Sequence, residues 1–237
     1  GRAVDLVFLR LSSPLPAGSI TAYFYAMLVI VAMPKSLFTG PITTVIFPTL
    51  AEEYNGGRLA AMQSTMYAGL RAAWQLTIPA AVGLLALGEP AVSFLFERGA
   101  FDARSTTLVY GLMLVLSLRL ITDASQDVLS KAFFARHNTR TVMWAHLGWA
   151  VLYIVLCAML VGAYGIRGLA LASTVSSLAL AGLLYWLNRA VTPGLAPERS
   201  LLVALGRTLL ACGGMALFVR SLPGWGLTGL SYLLVGM

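Results

Sequence analysis

Apolar residues fall along this chain in runs long enough to cross a bilayer, divided by short turns rich in Gly, Pro or basic residues. A spanning helix needs about 20 such residues, because the hydrocarbon is roughly 30 Å thick and a helix rises about 1.5 Å per residue. Ser19 to Tyr54 predicts one long helical segment, broken near Pro34 and again near Pro48, and closed by Asn55-Gly-Gly57. Arg58 to Leu87 predicts the next, with Pro79 inside it and a break at Gly88-Glu-Pro90. Ala91 to Phe96 is too short to span, and Glu97 to Asp102 is a polar turn. Ala103 to Ala135, Met143 to Val161, Leu169 to Leu187 and Ser200 to Val219 predict further spans. Gly162-Ala-Tyr-Gly165 separates two of these, and Asn188 to Glu198 forms a polar linker. Between Trp144 and Asn188 the only Asp, Glu, Lys or Arg is Arg167. Ala3 to Leu11 reads as the tail of one helix, followed by a turn over Ser12 to Gly18, and Leu227 to Met237 as the start of another. Both ends cut through helices, as expected for part of a longer membrane protein. The fold class is all-α: a polytopic transmembrane bundle of about six full spans, with partial spans at both ends.

Composition strengthens this picture. Hydrophobic residues make up 59% of the 237 residues and charged residues only 11%, with a mean hydropathy of +0.83. A soluble domain carries about 25% charged residues. The net charge of +7 fits basic loops facing anionic headgroups rather than nucleic acid. Loops holding Arg58, then Lys131 with Arg136 and Arg140, then Arg189 with Arg199, alternate with loops poorer in basic residues. The richer set is predicted to be cytoplasmic. Cys157 and Cys212 lie inside apolar runs and read as small core residues. No metal-ligand spacing, nucleotide-binding loop or catalytic constellation is present in the sequence. The chain is therefore not read as an enzyme, and no cofactor is expected.

Charges at membrane depth cost at least about 2.5–3.5 kcal/mol on insertion scales, so they face partners or cavities. Arg119, Asp123 and Asp127 follow an i, i+4, i+8 spacing that stacks them on one helix face. Two readings are open: a polar stripe lining a cavity, with room for a coupling ion or proton, or a structural ion pair between Arg119 and Asp123. Lys131 and Arg136 lie near the helix end, within reach of the interface. Lys35 follows a kinking proline in apolar surroundings. It could hold a phosphate as a point charge or extend to the headgroup region. His137 and His146 read as interface residues, and Tyr23, Phe24 and Tyr25 as an aromatic belt.

Several stretches resemble the MurJ/MviN family of lipid II flippases, within the MATE-like transporters. They are Gly18 to Ala26 with Pro34 and Thr44 to Ala51, then Leu95 to Asp102, Val128 to Thr141, and Tyr164 to Ala172. The resemblance implies that 1–190 form the C-terminal six-helix lobe and 191–237 additional C-terminal helices. It implies transport of a lipid-linked peptidoglycan precursor across the bacterial cytoplasmic membrane by alternating access, with a missing N-terminal lobe as partner. Cell-wall synthesis proteins are further candidate partners. The candidate cavity residues are Lys35, Arg119, Asp123 and Asp127. A cation or proton gradient is a candidate driving force. The alternatives are a polysaccharide-repeat flippase or cation-coupled drug exporter of the same superfamily, or a non-transporting scaffold in cell-wall synthesis. The family usually places an arginine shortly after the Tyr-Ala pair, whereas Tyr25-Ala26 here continues Met27-Leu-Val-Ile-Val31. Its usual proline in the basic loop is replaced by Val142. Lys35, about 10 Å beyond Leu28 and on nearly the same face of a regular helix, is the expected substitute cation.

Overall fold

The computed structural model describes residues 18–96, 103–191 and 198–221, and the described residues are helical apart from the turns between helices. The expected partial spans at 3–11 and 227–237, the turn at 97–102 and most of the linker lie outside the described residues. The first membrane segment starts as helix α1 (Ser19–Met27), passes through two π-helical turns, Leu28–Ala32 and Lys35–Thr39, and continues as α2 (Gly40–Asn55). Helix α3 is Leu59–Phe96, α4 is Ala103–Ala135, α5 is Thr139–Val191 and α6 is Glu198–Ser221.

The prolines act less as breaks than the sequence suggested. Pro34 sits between the two wide turns, so the irregularity there takes the form of π turns within a continuing helix. Pro41 follows the second π turn directly, and the chain stays helical through it as well. Pro48 lies inside α2 and Pro90 inside α3, and both helices run on. Neighbouring hydroxyls bond back to main-chain carbonyls along this stretch. Ser36 Oγ donates to the Met33 carbonyl at 2.8 Å, Thr43 Oγ1 to the Gly40 carbonyl at 2.9 Å, and Thr44 Oγ1 to the Gly40 carbonyl at 2.9 Å. In lipid no water replaces a lost backbone partner, so side-chain hydroxyls and neighbouring helices must do so.

The ends of the helices are built from specific backbone bonds. The Arg58 N–H donates to the Glu53 carbonyl and the Gly57 N–H to the Tyr54 carbonyl, with Gly57 at φ +70°. This is a Schellman closure, for which the left-handed conformation suits glycine. The same closure ends α4, but His137 takes the left-handed position at φ +58°. Asn138 Oδ1 then accepts from the Thr141 N–H at 3.2 Å and starts α5. The Tyr54 and His137 rings meet edge to face, 6.3 Å apart, so these two turns share one end of the bundle.

Helix α5 is two crossings joined without a loop. Gly165 alone departs from helical geometry, at φ 57° and ψ −135°. A Cβ at Gly168 would lie 2.2 Å from the Leu160 carbonyl oxygen, so the chain folds back on itself there. Val142 and Leu184 accordingly join one buried cluster near the basic turns, while Cys157 and Leu169 join the other cluster. Hence the expected spans Met143 to Val161 and Leu169 to Leu187 are both present, but the second helix runs to Val191, beyond the predicted linker start at Asn188.

Helix α4 is the hub. It packs against α1, both π turns, α2, α3 and α5, while α6 packs on α3. One face of α4, through Leu112, Leu116, Leu120, Ala124, Val128 and Ala132, is fully buried. The outward faces carry large apolar side chains, among them Leu114, Val151, Met159, Trp186 and Leu210. Such a surface matches hydrocarbon, not water. Among the described residues, four helical segments are long and apolar enough to cross a membrane, the last of them folded at Gly165 into two crossings. The apolar part of α6, Val203–Met215, is shorter. Both cysteines are buried and unpaired. The protein is thus an all-α, membrane-spanning bundle.

The close approach at Gly168 yields a direct test. Gly168→Ala should lower the thermal unfolding midpoint of purified protein in detergent and promote aggregation, because the obstructing atoms are backbone. Gly148→Ala, where an added Cβ meets nothing within 4 Å, should leave the midpoint unchanged. Equal behaviour of the two variants would refute the tight reversal.

Candidate functional site

Arg119, Asp123, Asp127 and Lys131 run down one side of α4, each one position before a member of the buried apolar face. All four sequence candidates fall on this strip or against it. Arg119 Nε lies 3.4 Å from Asp123 Oδ2, with side chains only 15% and 14% exposed. Lys35 Nζ lies 3.0 Å from Asp127 Oδ2, with side chains 35% and 34% exposed. The structure therefore sets two ion pairs a short distance apart, one enclosed and one accessible.

The enclosed pair is held by polar groups that sequence reasoning did not single out. Arg119 Nη1 reaches the Tyr23 hydroxyl at 3.5 Å. Ser177 Oγ donates to Asp123 Oδ1 at 2.5 Å. Gln126 Nε2 donates to Ser177 Oγ at 2.7 Å and to the Ser177 carbonyl at 2.8 Å, and Thr122 Oγ1 lies 2.7 Å from Ser177 Oγ. Ser177 is 1% exposed. Its helix reads in sequence as a run of small packing residues, and only the fold reveals it as the hub of a network. Gln126 carried a usable signal, lying i+3 from Asp123 on the same face. Tyr23 departs from its expected place in an interfacial belt: it is buried, while its neighbour Phe24 is 56% exposed.

The accessible pair depends on the π turns. Lys35 opens the second of them, directly after Pro34. A π turn is wider than an α turn, with bonds from i to i+5. The intervening turn at Leu28–Ala32 shifts the angular phase of everything after it. The expectation that Lys35 shares a face with Leu28 therefore fails: Leu28 is exposed while Lys35 turns inward to Asp127. Lys131, expected to reach toward the interface, instead places Nζ 5.3 Å from the centre of the Phe47 ring, a cation–π contact.

These contacts show that the first segment bows. Tyr23 meets Arg119, Lys35 meets Asp127 and Phe47 meets Lys131. As a regular helix, Tyr23 to Phe47 would rise about 36 Å, whereas Arg119 to Lys131 rises about 18 Å. Side-chain reach and the curvature around Pro34 absorb the difference.

Beside the strip lies an apolar cavity of about 470 Å³ between α3, α4, α5 and α6, with Trp74, Leu129, Tyr185 and Leu201 in its wall. Thr122 and Ser125 line its inner side, and Trp74 Nε1 donates to Ser125 Oγ at 2.8 Å. The basic turn at the end of α4 holds Arg136 over the Phe133 ring at 6.0 Å. Burial pushes the Arg136 guanidinium below its ordinary pKa. His146 Nδ1 lies 2.9 Å from the Val142 carbonyl of its own helix.

The family model described as "Lipid II flippase MurJ" matches residues 3–235. A protein of Bdellovibrio bacteriovorus named "Probable lipid II flippase MurJ" is 29% identical over 216 residues, which is 91% of this chain and 41% of that protein. One of the same name from Vibrio cholerae is 32% identical over 174 residues, covering 73% of this chain and 33% of its own length. "Lipid II flippase MurJ" of Thermosipho africanus is 27% identical over 158 residues, 65% of this chain and 31% of that protein. The chain thus spans less than half the length of these curated relatives.

The enclosed pair should behave as one unit. Asp123→Ala strands the Arg119 guanidinium among apolar groups and should destabilise the bundle by roughly 3–5 kcal/mol. Replacing both partners together, Arg119→Met with Asp123→Leu, should recover most of that loss. Denaturation in detergent measures both, and purely additive effects would show that the pair does not exist in the folded protein.

Proposed function

The chain belongs to the MurJ lipid II flippase family, and we propose that it forms one lobe of a transporter for a lipid-linked peptidoglycan precursor. The transporter works in the bacterial cytoplasmic membrane by alternating access, with the basic turns on the cytoplasmic side. A second lobe faces the strip formed by α4 and the bowed segment, and the substrate headgroup enters between the two. Residues 1–190 correspond to the lobe and 191–237 to appended helices.

The single observation that carries this reading is the accessible ion pair at the π turn. A pyrophosphate crossing hydrocarbon needs a cation at membrane depth, and Lys35 is a cation with a third of its side chain exposed. Lys35 is the phosphate contact. Arg119 is spoken for by Asp123 and Tyr23, so it frames the site instead of binding the headgroup. Asp123 and Asp127 complete the charge balance of the strip. The apolar cavity beside it suits part of the polyprenyl tail, since it is lined by Leu, Trp and Tyr side chains. Rocking of lobes about such a site moves the headgroup if the two states bind it with different affinity. The family match favours this reading over an exporter, a polysaccharide-repeat flippase or a scaffold. The chain is assigned no catalytic step.

Lys35→Ala in the intact transporter should abolish binding of undecaprenyl pyrophosphate and fail to complement a flippase-depleted strain. Lys35→Arg should retain part of both. Unchanged binding by the alanine variant would refute the assignment of Lys35.

A further inference from the structure

We propose that Asp127 is a built-in competitor for Lys35 that sets how much negative charge a ligand must carry to bind. With the cavity empty, Asp127 holds the Lys35 ammonium. A multiply charged headgroup takes the ammonium away, and Asp127 passes to Lys131. This rests on the reading of Lys35 as the phosphate contact.

Three observations support the exchange. The two ion pairs of the strip are unequal. Asp123 is held on one oxygen by Arg119 and on the other by Ser177, which Gln126 and Thr122 brace in turn. Asp127 holds Lys35 through one oxygen, in a pair more than twice as exposed. A ligand that reaches the strip meets the Lys35 pair first. The backbone under Lys35 is the second observation. It opens a π turn next to a proline, with another π turn one residue before that proline. The ammonium stands at the end of a flexible four-carbon stem, so a rotamer change redirects it.

The third observation is the spare cation. A carboxylate left alone at this depth is costly, so the exchange needs a second partner within reach. Lys131 lies one helical turn beyond Asp127, on the same face. Its ammonium rests over the Phe47 ring, a weaker partner than a carboxylate. Moving from ring to carboxylate requires only a rotamer change of Lys131.

The consequence is selectivity. Bulk membrane phospholipids, like a polyprenyl carrier, have long hydrocarbon tails, but they mostly present a single phosphate per headgroup. Against a resident carboxylate, one phosphate offers Lys35 little gain. A pyrophosphate offers a higher charge and more acceptor oxygens. Asp127 therefore keeps ordinary lipids from occupying the site.

The test is equilibrium binding of radiolabelled undecaprenyl pyrophosphate and undecaprenyl phosphate to the intact transporter in detergent. Asp127→Asn should bind the pyrophosphate and the monophosphate each about fivefold more tightly, because the same ion pair is broken for either ligand, so that the monophosphate passes the threshold for occupying the site. A merely structural Asp127 would weaken both. If Lys35→Ala loses binding but Asp127→Asn binds equally or more weakly, the competitor role is wrong and the Lys35 assignment stands. If Lys35→Ala binds normally, both fall. Lys131→Gln covers the case in which Asp127→Asn does not fold. It leaves the resting pair intact, so the unliganded unfolding midpoint should hold while pyrophosphate binding weakens severalfold. Unchanged binding by Lys131→Gln overturns the handover.

Discussion

A charge carried into hydrocarbon must bring its partner with it, and the architecture of this bundle follows from that demand on α4. The helix packs its apolar face against every neighbouring segment of the first membrane run and against α3 and α5. Its charged strip then lies at the seams of those contacts. Arg119 and Asp123 are matched within α4 and braced from α1 and α5. Asp127 is matched only from outside, by Lys35. In lipid there is little hydrophobic drive between helices, so close packing and such polar contacts decide which surfaces meet. The polar contacts of α4 reach the bowed segment on one side and α5 on the other, and they place the two relative to each other.

The same division explains what could be read from the sequence. Run length and hydropathy gave the helices, and Asn55-Gly-Gly57 gave one of their ends, because both are local properties, whereas α3 runs on through Gly88-Glu-Pro90. The pairing of Arg119 with Asp123 was legible for the same reason: a one-turn spacing within one helix puts side chains together. Ser177 with Asp123, Tyr23 with Arg119 and Lys35 with Asp127 join residues far apart in sequence. Their partners are invisible until the helices are packed.

Periodicity failed where the helix stopped being regular. Extrapolation from Leu28 to Lys35 assumed a constant angular step, and the π turn at Leu28–Ala32 changes that step. The prolines were read as breaks for a related reason. Counting lost backbone bonds ignores that the chain can pass a proline in wider turns and remain helical, as it does on both sides of Pro34. The second of these turns carries Lys35, which meets Asp127, so the local irregularity and the candidate site coincide.

The reversal at Gly165 bears on how this polypeptide reaches its membrane at all. Thr139–Ala190 is apolar along both arms, its most apolar 18-residue stretch having a mean hydropathy of 2.1, and it contains no loop between its two crossings. During synthesis, the insertion machinery would meet one continuous oily stretch about twice the depth of the bilayer. With only this tight turn and the adjacent Arg167 to carry across, entry of the two arms together as a hairpin suits the sequence. The glycines that shape the fold would then also govern its biogenesis.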